Sequence, residues 1–117
     1  MNPDVKKKWV EALRSGEYDQ TTGWLTNEYG TKFCCLGVLC DLYARETKGK
    51  AGFVEKGPGL QFESENGSSN AELTDDVQLW AGLESSSPEV YDTALMDLND
   101  IEGFSFNEIA DLIEEDL

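Results

Sequence analysis

Residues 33–43, Phe-Cys-Cys-Leu-Gly-Val-Leu-Cys-Asp-Leu-Tyr, form the longest apolar run in the sequence, and only the interior of a fold can accommodate it. At 100° per residue, Cys35, Leu36, Leu39, Cys40, Leu42 and Tyr43 spread over more than half of a helix circumference, the pattern of a helix covered on most sides. The remaining stripe is Cys34, Gly37, Asp41 and Arg45, with Asp41 and Arg45 at the four-residue spacing that pairs opposite charges. Glycine inside a helix costs about 1 kcal/mol relative to alanine, so Gly37 is expected to let another backbone, or a ligand, come close. The fold predicted around this stretch is one compact α+β domain over residues 1–117, mostly helical, with a small antiparallel sheet packed on a central buried helix.

A chain of 117 residues with 39% apolar content can bury a core without disulfides or metal. Its three cysteines, Cys34, Cys35 and Cys40, crowd one apolar segment, and adjacent helical positions cannot reach disulfide geometry. Reduced, buried thiols are predicted. No charged-then-apolar leader opens the sequence and no apolar run approaches the roughly 18 residues of a membrane span, so a cytoplasmic protein with no membrane partner is expected.

Charge is divided unevenly along the chain. All nine Lys and Arg fall in residues 1–56 beside eight acids, whereas residues 57–117 hold sixteen acids and no base, and the net charge is −15. A dense negative face repels nucleic acid and anionic membrane and attracts basic protein surfaces, although an acidic surface also serves solubility alone. Direct nucleic-acid binding is not expected.

From the start, Asn2-Pro3-Asp4 reads as an N-cap and first turn, and Gly16 closes a helix over about residues 3–15 with Val5, Trp9, Ala12 and Leu13 inward. Trp24–Thr26 and Thr31–Phe33, on either side of Asn27-Glu28-Tyr29-Gly30, predict a hairpin that feeds the next helix. Short strands are expected at Phe53–Glu55 and Leu60–Phe62, followed by a surface excursion from Glu63 to Glu72. Thr74 opens a short helix that Gly82 ends. Ser87-Pro88 opens another, through Val90, Tyr91, Ala94, Leu95 and Leu98, whose first turn could equally be extended. Ser105 and Glu108 form a capping box for a last helix with Phe106, Ile109, Ala110 and Ile113 inward. Asp111, Glu114, Glu115 and Asp116 oppose the dipole at its end, so that end either frays or is covered by something basic.

Catalytic patterns are sparse. The sequence has no histidine, which removes Ser-His-Asp and Cys-His chemistry, and it has neither a Walker loop nor a dinucleotide fingerprint. Cys34 stands near a helix start but lacks a base, and carboxylate pairs carry no signal among 24 acids. No enzyme, cofactor or metal is therefore expected. A calcium loop is approximated by Asp97, Asn99, Phe104 and Glu108, but Ile101 stands where an oxygen ligand is needed and Gly103 is one place late.

Three segments, KKWVEALRSGEY, FCCLGVLCDLY and LNDIEGFSFNEIADLIEE, resemble those of a family of short proteins encoded in tailed-phage and prophage genomes; residues 46–72 lie outside the resemblance. The resemblance implies an accessory gene that acts on the bacterial host, including its immune systems, within the host cytoplasm. Two ways of acting are expected. In the first, Arg14, Trp24, Lys32 and Arg45, with Tyr18 and Tyr29, hold a small anionic nucleotide-type host signal near the entrance of the 33–43 helix, where free N–H groups and the dipole favour an anion. In the second, residues 57–117 mimic a polyanion and block a basic host protein.

Overall fold

The computed structural model describes residues 1–117. The first helix, α1 (Pro3–Arg14), begins as predicted: Asn2 Oδ1 accepts from the amides of Asp4 at 2.9 Å and Val5 at 3.3 Å, and Pro3 has no amide to satisfy. Its buried residues are Val5, Trp9, Val10 and Leu13. Val10 takes the place predicted for Ala12 because α1 packs chiefly against two helices, α2 (Cys35–Glu46) and α5 (Phe106–Asp116), which widens the covered stripe.

Every residue from Cys34 to Cys40 is buried, and α2 meets α1, α3 (Asp75–Ala81), α4 (Leu95–Asp100) and β3 (Gly52–Lys56). The Trp9 indole N–H is fully buried and donates to the Cys35 carbonyl at 3.0 Å. Gly37 is where another backbone comes in: a Cβ there would overlap the Leu25 carbonyl oxygen and lie 2.8 Å from its carbon.

The sheet content is three small pieces, and not all of it is antiparallel. The predicted 24–33 hairpin contracts to a single bridge between Thr26 and Phe33, while β2 (Lys32–Phe33) makes a parallel pair with β1 (Asp19–Gln20). Hydrogen-bond geometry explains the change. The Leu25 carbonyl accepts from Cys34 N at 3.1 Å, whereas its amide turns away to the Asn70 carbonyl at 2.8 Å, so the segment joins two neighbours in place of one. Phe33 then sits between the rings of Tyr18 and Phe53.

The predicted strands at 53–55 and 60–62 are present as β3 and β4 (Gly59–Ser64), joined by Gly57-Pro58 with Gly57 at φ 70°, which suits the first position of a tight hairpin turn. The expected excursion from Glu63 to Glu72 is instead partly ordered into β4 and a third strand, β5 (Gly67–Ser69). Its turn is pinned to α3 by Asp76, whose carboxylate accepts from both the amide and the side chain of Asn66, at 2.7 and 2.8 Å. These hydrogen bonds, chiefly those from Asn66, lower the Asp76 pKa.

The segment after Pro88 also departs from the helical expectation. It is extended, as the open alternative allowed: β6 (Glu89–Val90) turns through Tyr91 and Asp92, at φ 49° and 64°, into β7 (Thr93–Ala94), and helix begins only at Leu95. Two left-handed residues in succession are the signature of a two-residue hairpin, normally marked by glycine or asparagine, which this turn lacks. In α5 the capping box and all four inward residues are as predicted. Its acidic end stays exposed but is partnered from within, since Arg14 pairs with Asp111 at 2.6 Å and Glu114 at 3.0 Å, the Tyr91 amide donates to Asp116 and its phenol to Glu115. Twenty-three buried apolar residues make one continuous core, and no helix is long and apolar enough to cross a membrane.

Candidate functional site

The α2 entrance, expected to attract an anion, is closed. Its first residues are buried, and the chain itself uses their donors: Cys35 N donates to Asn99 Oδ1 at 3.3 Å and Gly37 N to Cys34 Sγ at 3.4 Å. Asn99 stands at the third position of the calcium-like spacing, and here it serves as a crosslink. It is almost fully buried, accepts also from Gln20 Nε2 at 2.8 Å, and donates through Nδ2 to the Thr21 carbonyl and to Asp100. Glu108 is committed to the cap of α5 and the Phe104 carbonyl to Gln20, so the calcium-like spacing is explained without a metal. No three Cys, Asp or Glu side chains are grouped to hold a metal ion.

The thiols are held as acids. Burial pushes Cys34 up to about 11 and raises Cys35 and Cys40 well above the ordinary thiol range. At about pH 7.5 a thiol reagent is therefore expected to label the native protein slowly, and all three cysteines together once denaturant is added. Because these thiols ionise first in the unfolded chain, native stability should fall as pH rises past their ordinary value of about 9. Rapid labelling of one thiol in the native state would contradict this placement.

The six predicted ligand residues fall among different sets of contacts. Arg14 is tied to α5 by its two ion pairs. Tyr18 and Arg45 meet at Asp41: the phenol donates to the carboxylate at 2.6 Å, the guanidinium donates at 3.0 Å, and the guanidinium carbon lies 5.8 Å from the Tyr18 ring centre. Burial, followed by this carboxylate, raises the Tyr18 pKa far above the usual phenol value. Tyr29 and Lys32 are exposed at the 27–33 turn. Two of the six line cavities: Arg14, paired with Glu114, lines a shallow one of about 370 Å³ with Lys6, Lys7 and Glu11 on α1, and Trp24 lines a cleft among the loops.

The Trp24 cleft, of about 360 Å³, lies between the 21–28 segment and the β3–β4 turn, within the range of small-ligand sites. One wall is shaped by the Asn27 carboxamide, which accepts from Thr31 N and Lys32 N and folds the turn that Gly30, at φ 69°, completes. Trp24 lies open there with 56% of its surface exposed. Lys56, the one cation lining the cleft, pairs with Glu63 at 3.0 Å. Gln61 and Asn70 face the same space, and the Asn70 carboxamide has no partner in the chain. Sequence reasoning missed both residues because the signal lies in the pairing of β4 and of Asn70 with Leu25, not in residue type. A second, larger groove of about 600 Å³ separates the N-terminus from residues 82–92 and the C-terminus, and Glu84, Glu89, Asp92 and Asp116 line it.

A family model described as "Domain of unknown function (DUF8296)" matches residues 1–117, the whole of the chain. The chain belongs to this family. Comparison with curated proteins and with solved structures finds no match. The family assignment carries no activity, so the chemistry of the site rests on its own geometry.

Proposed function

We propose that this DUF8296 protein is a phage-type accessory protein that acts on the bacterial host by stoichiometric, non-catalytic binding. In this reading it sequesters a nucleotide-type host immune signal in the Trp24 cleft, inside the host cytoplasm, and α2 is the central helix on which the rest of the domain is assembled. The phage setting rests on the resemblance of the three sequence segments. The observation that carries the binding site is an open indole beside unpartnered amide groups in a cleft of ligand size. Absent histidine and deeply buried thiols agree with capture in place of turnover.

Electrostatics favours a second reading, in which the acidic half blocks a basic host protein. Four of the sixteen acids of residues 57–117 line the groove of about 600 Å³, and the only side-chain cations close to acids of that half are Arg14 and Lys56. The two readings separate in one experiment. Purified protein is incubated with a deproteinised bacterial extract, re-isolated and denatured, and the released small molecules are weighed by mass spectrometry. Capture predicts one intact nucleotide-type mass per chain, lost in Trp24→Ala. An empty wild-type protein, together with a basic host protein retained at low salt and released at high salt, would replace capture by the blocking role.

A further inference from the structure

We infer that the cleft holds the uncharged heterocyclic ring of its ligand, stacked on Trp24 and read by the Asn70 carboxamide, and leaves any phosphate outside. This rests on the reading that the cleft is the capture site. The argument comes from which groups around the cleft are free. Its formal charges are one cation, Lys56, and one anion, Glu28, so the lining is neutral, and Lys56 is already engaged by Glu63. The polar groups nearest the 27–33 turn are also spent: the Thr26 hydroxyl donates to the Lys32 carbonyl, and the Asn27 carboxamide holds Thr31 and Lys32. Gln61 Oε1 accepts from Ser68, which leaves only its Nε2 donors.

What remains is the Trp24 indole with its N–H, the Thr21 hydroxyl, the Glu28 carboxylate, which disfavours a phosphate, the two amide donors of Gln61, and the complete carboxamide of Asn70, an acceptor and a donor side by side. No buried side-chain polar atom of the chain lacks a partner, so these free groups are open to solvent, on residues that line the cleft. A carboxamide matches an edge that carries an adjacent donor and acceptor, as every nucleobase edge used in pairing does. Base stacking on an aromatic side chain needs no charge. A phosphate, by contrast, would meet no free cation in the lining and would enter a protein of net charge −15. The ligand class is therefore a nucleoside-type ring system, with selectivity set at Asn70.

The test is calorimetric titration with adenosine, guanosine, cytidine and uridine and with their 5′-monophosphates, at low and at moderate salt. Trp24 emission serves as a second readout, because Trp9 is fully buried and Trp80 partly so. We expect one nucleoside to bind in preference to the others, with nearly the affinity of its monophosphate and little dependence on salt. Asn70→Ala should weaken that binding about tenfold and leave the melting temperature unchanged, since the Asn70 backbone carbonyl that accepts from Leu25 is retained. Trp24→Ala should weaken it by a similar or larger factor. Binding of monophosphates without nucleosides, steeply weakened by salt, would overturn ring recognition while leaving capture in the cleft intact. Failure of all eight probes would also overturn it, and the extract experiment would then decide separately whether the cleft captures anything.

Discussion

Replacing Gly37 by alanine is expected to cost about 3 kcal/mol or more of folding stability, a large part of the roughly 5–15 kcal/mol typical of a domain. Helix propensity alone would make this substitution favourable by about 1 kcal/mol, so the sign of the effect is diagnostic. The added methyl group would occupy the place of the Leu25 carbonyl oxygen, and the obstacle is backbone, not the flexible end of a side chain. Moving Leu25 would also break the bond its carbonyl accepts from Cys34 N and the bond its amide donates to Asn70. The floor of the Trp24 segment would therefore shift with it. Thermal melting should show a drop on the order of 10 °C, beside a Gly52→Ala control that meets nothing within 4 Å and should stay near the wild-type value. A Gly37→Ala protein as stable as wild type would mean that the chain crossing at Leu25 is not as close as described.

Asn99 carries the second large effect. Its carboxamide joins three segments that are distant in sequence, accepting from Gln20 and from the first amide of α2 and donating to the Thr21 carbonyl. In Asn99→Leu the Cys35 amide and the Thr21 carbonyl are left without these partners in a buried place, an expected loss of about 3 kcal/mol. Asn99→Asp is the sharper variant. One oxygen can still accept, but the other replaces a donor and faces the Thr21 carbonyl and Asp100, both acceptors. The new carboxyl should have its folded pKa raised, so its neutral form suits the site and its ionised form does not. The stabilising contribution is then fully present below the ordinary aspartate value of about 4 and is lost as pH rises through the raised folded value. Denaturant melts at about pH 5 and about pH 7.5 should show the deficit of Asn99→Asp relative to wild type growing with pH, while that of Asn99→Leu stays flat. Equal deficits at both pH values would indicate that the aspartate is hydrated and the network open.

Much of the secondary structure was legible because its causes are local. Asn2-Pro3 and the Ser105/Glu108 box define helix starts through hydrogen bonds within three residues, and Gly82 ends α3 at φ 68°. The apolar run at 33–43 likewise dictated burial, since no other surface could cover it. What was misread lacks such local signals. The Tyr91-Asp92 turn adopts a conformation usually marked by glycine, and β5 is a polar strand held by β4 and by Asp76 on a later helix. The calcium-like spacing of Asp97 and Asn99 was set aside in sequence because Ile101 and Gly103 break it, but that Asn99 is a buried crosslink had no local signal.

The candidate site shows the same division. Residue type and position near the 33–43 helix named Trp24 and the basic residues, but beyond the Asp41/Arg45 spacing, charge in sequence does not reveal which cations are already paired. Tertiary packing spent Arg14 on α5 and Lys56 on Glu63, and it closed the α2 entrance with Asn99. The same packing brought Asn70 and the β3–β4 turn to Trp24, because the Leu25 amide pairs with the Asn70 carbonyl across 45 residues. By itself, the sequence determined an α+β chain with an apolar helix to bury, reduced thiols and a strongly acidic second half. The cleft and its free groups were decided only by tertiary structure, since they depend on long-range backbone pairing that residue type does not encode.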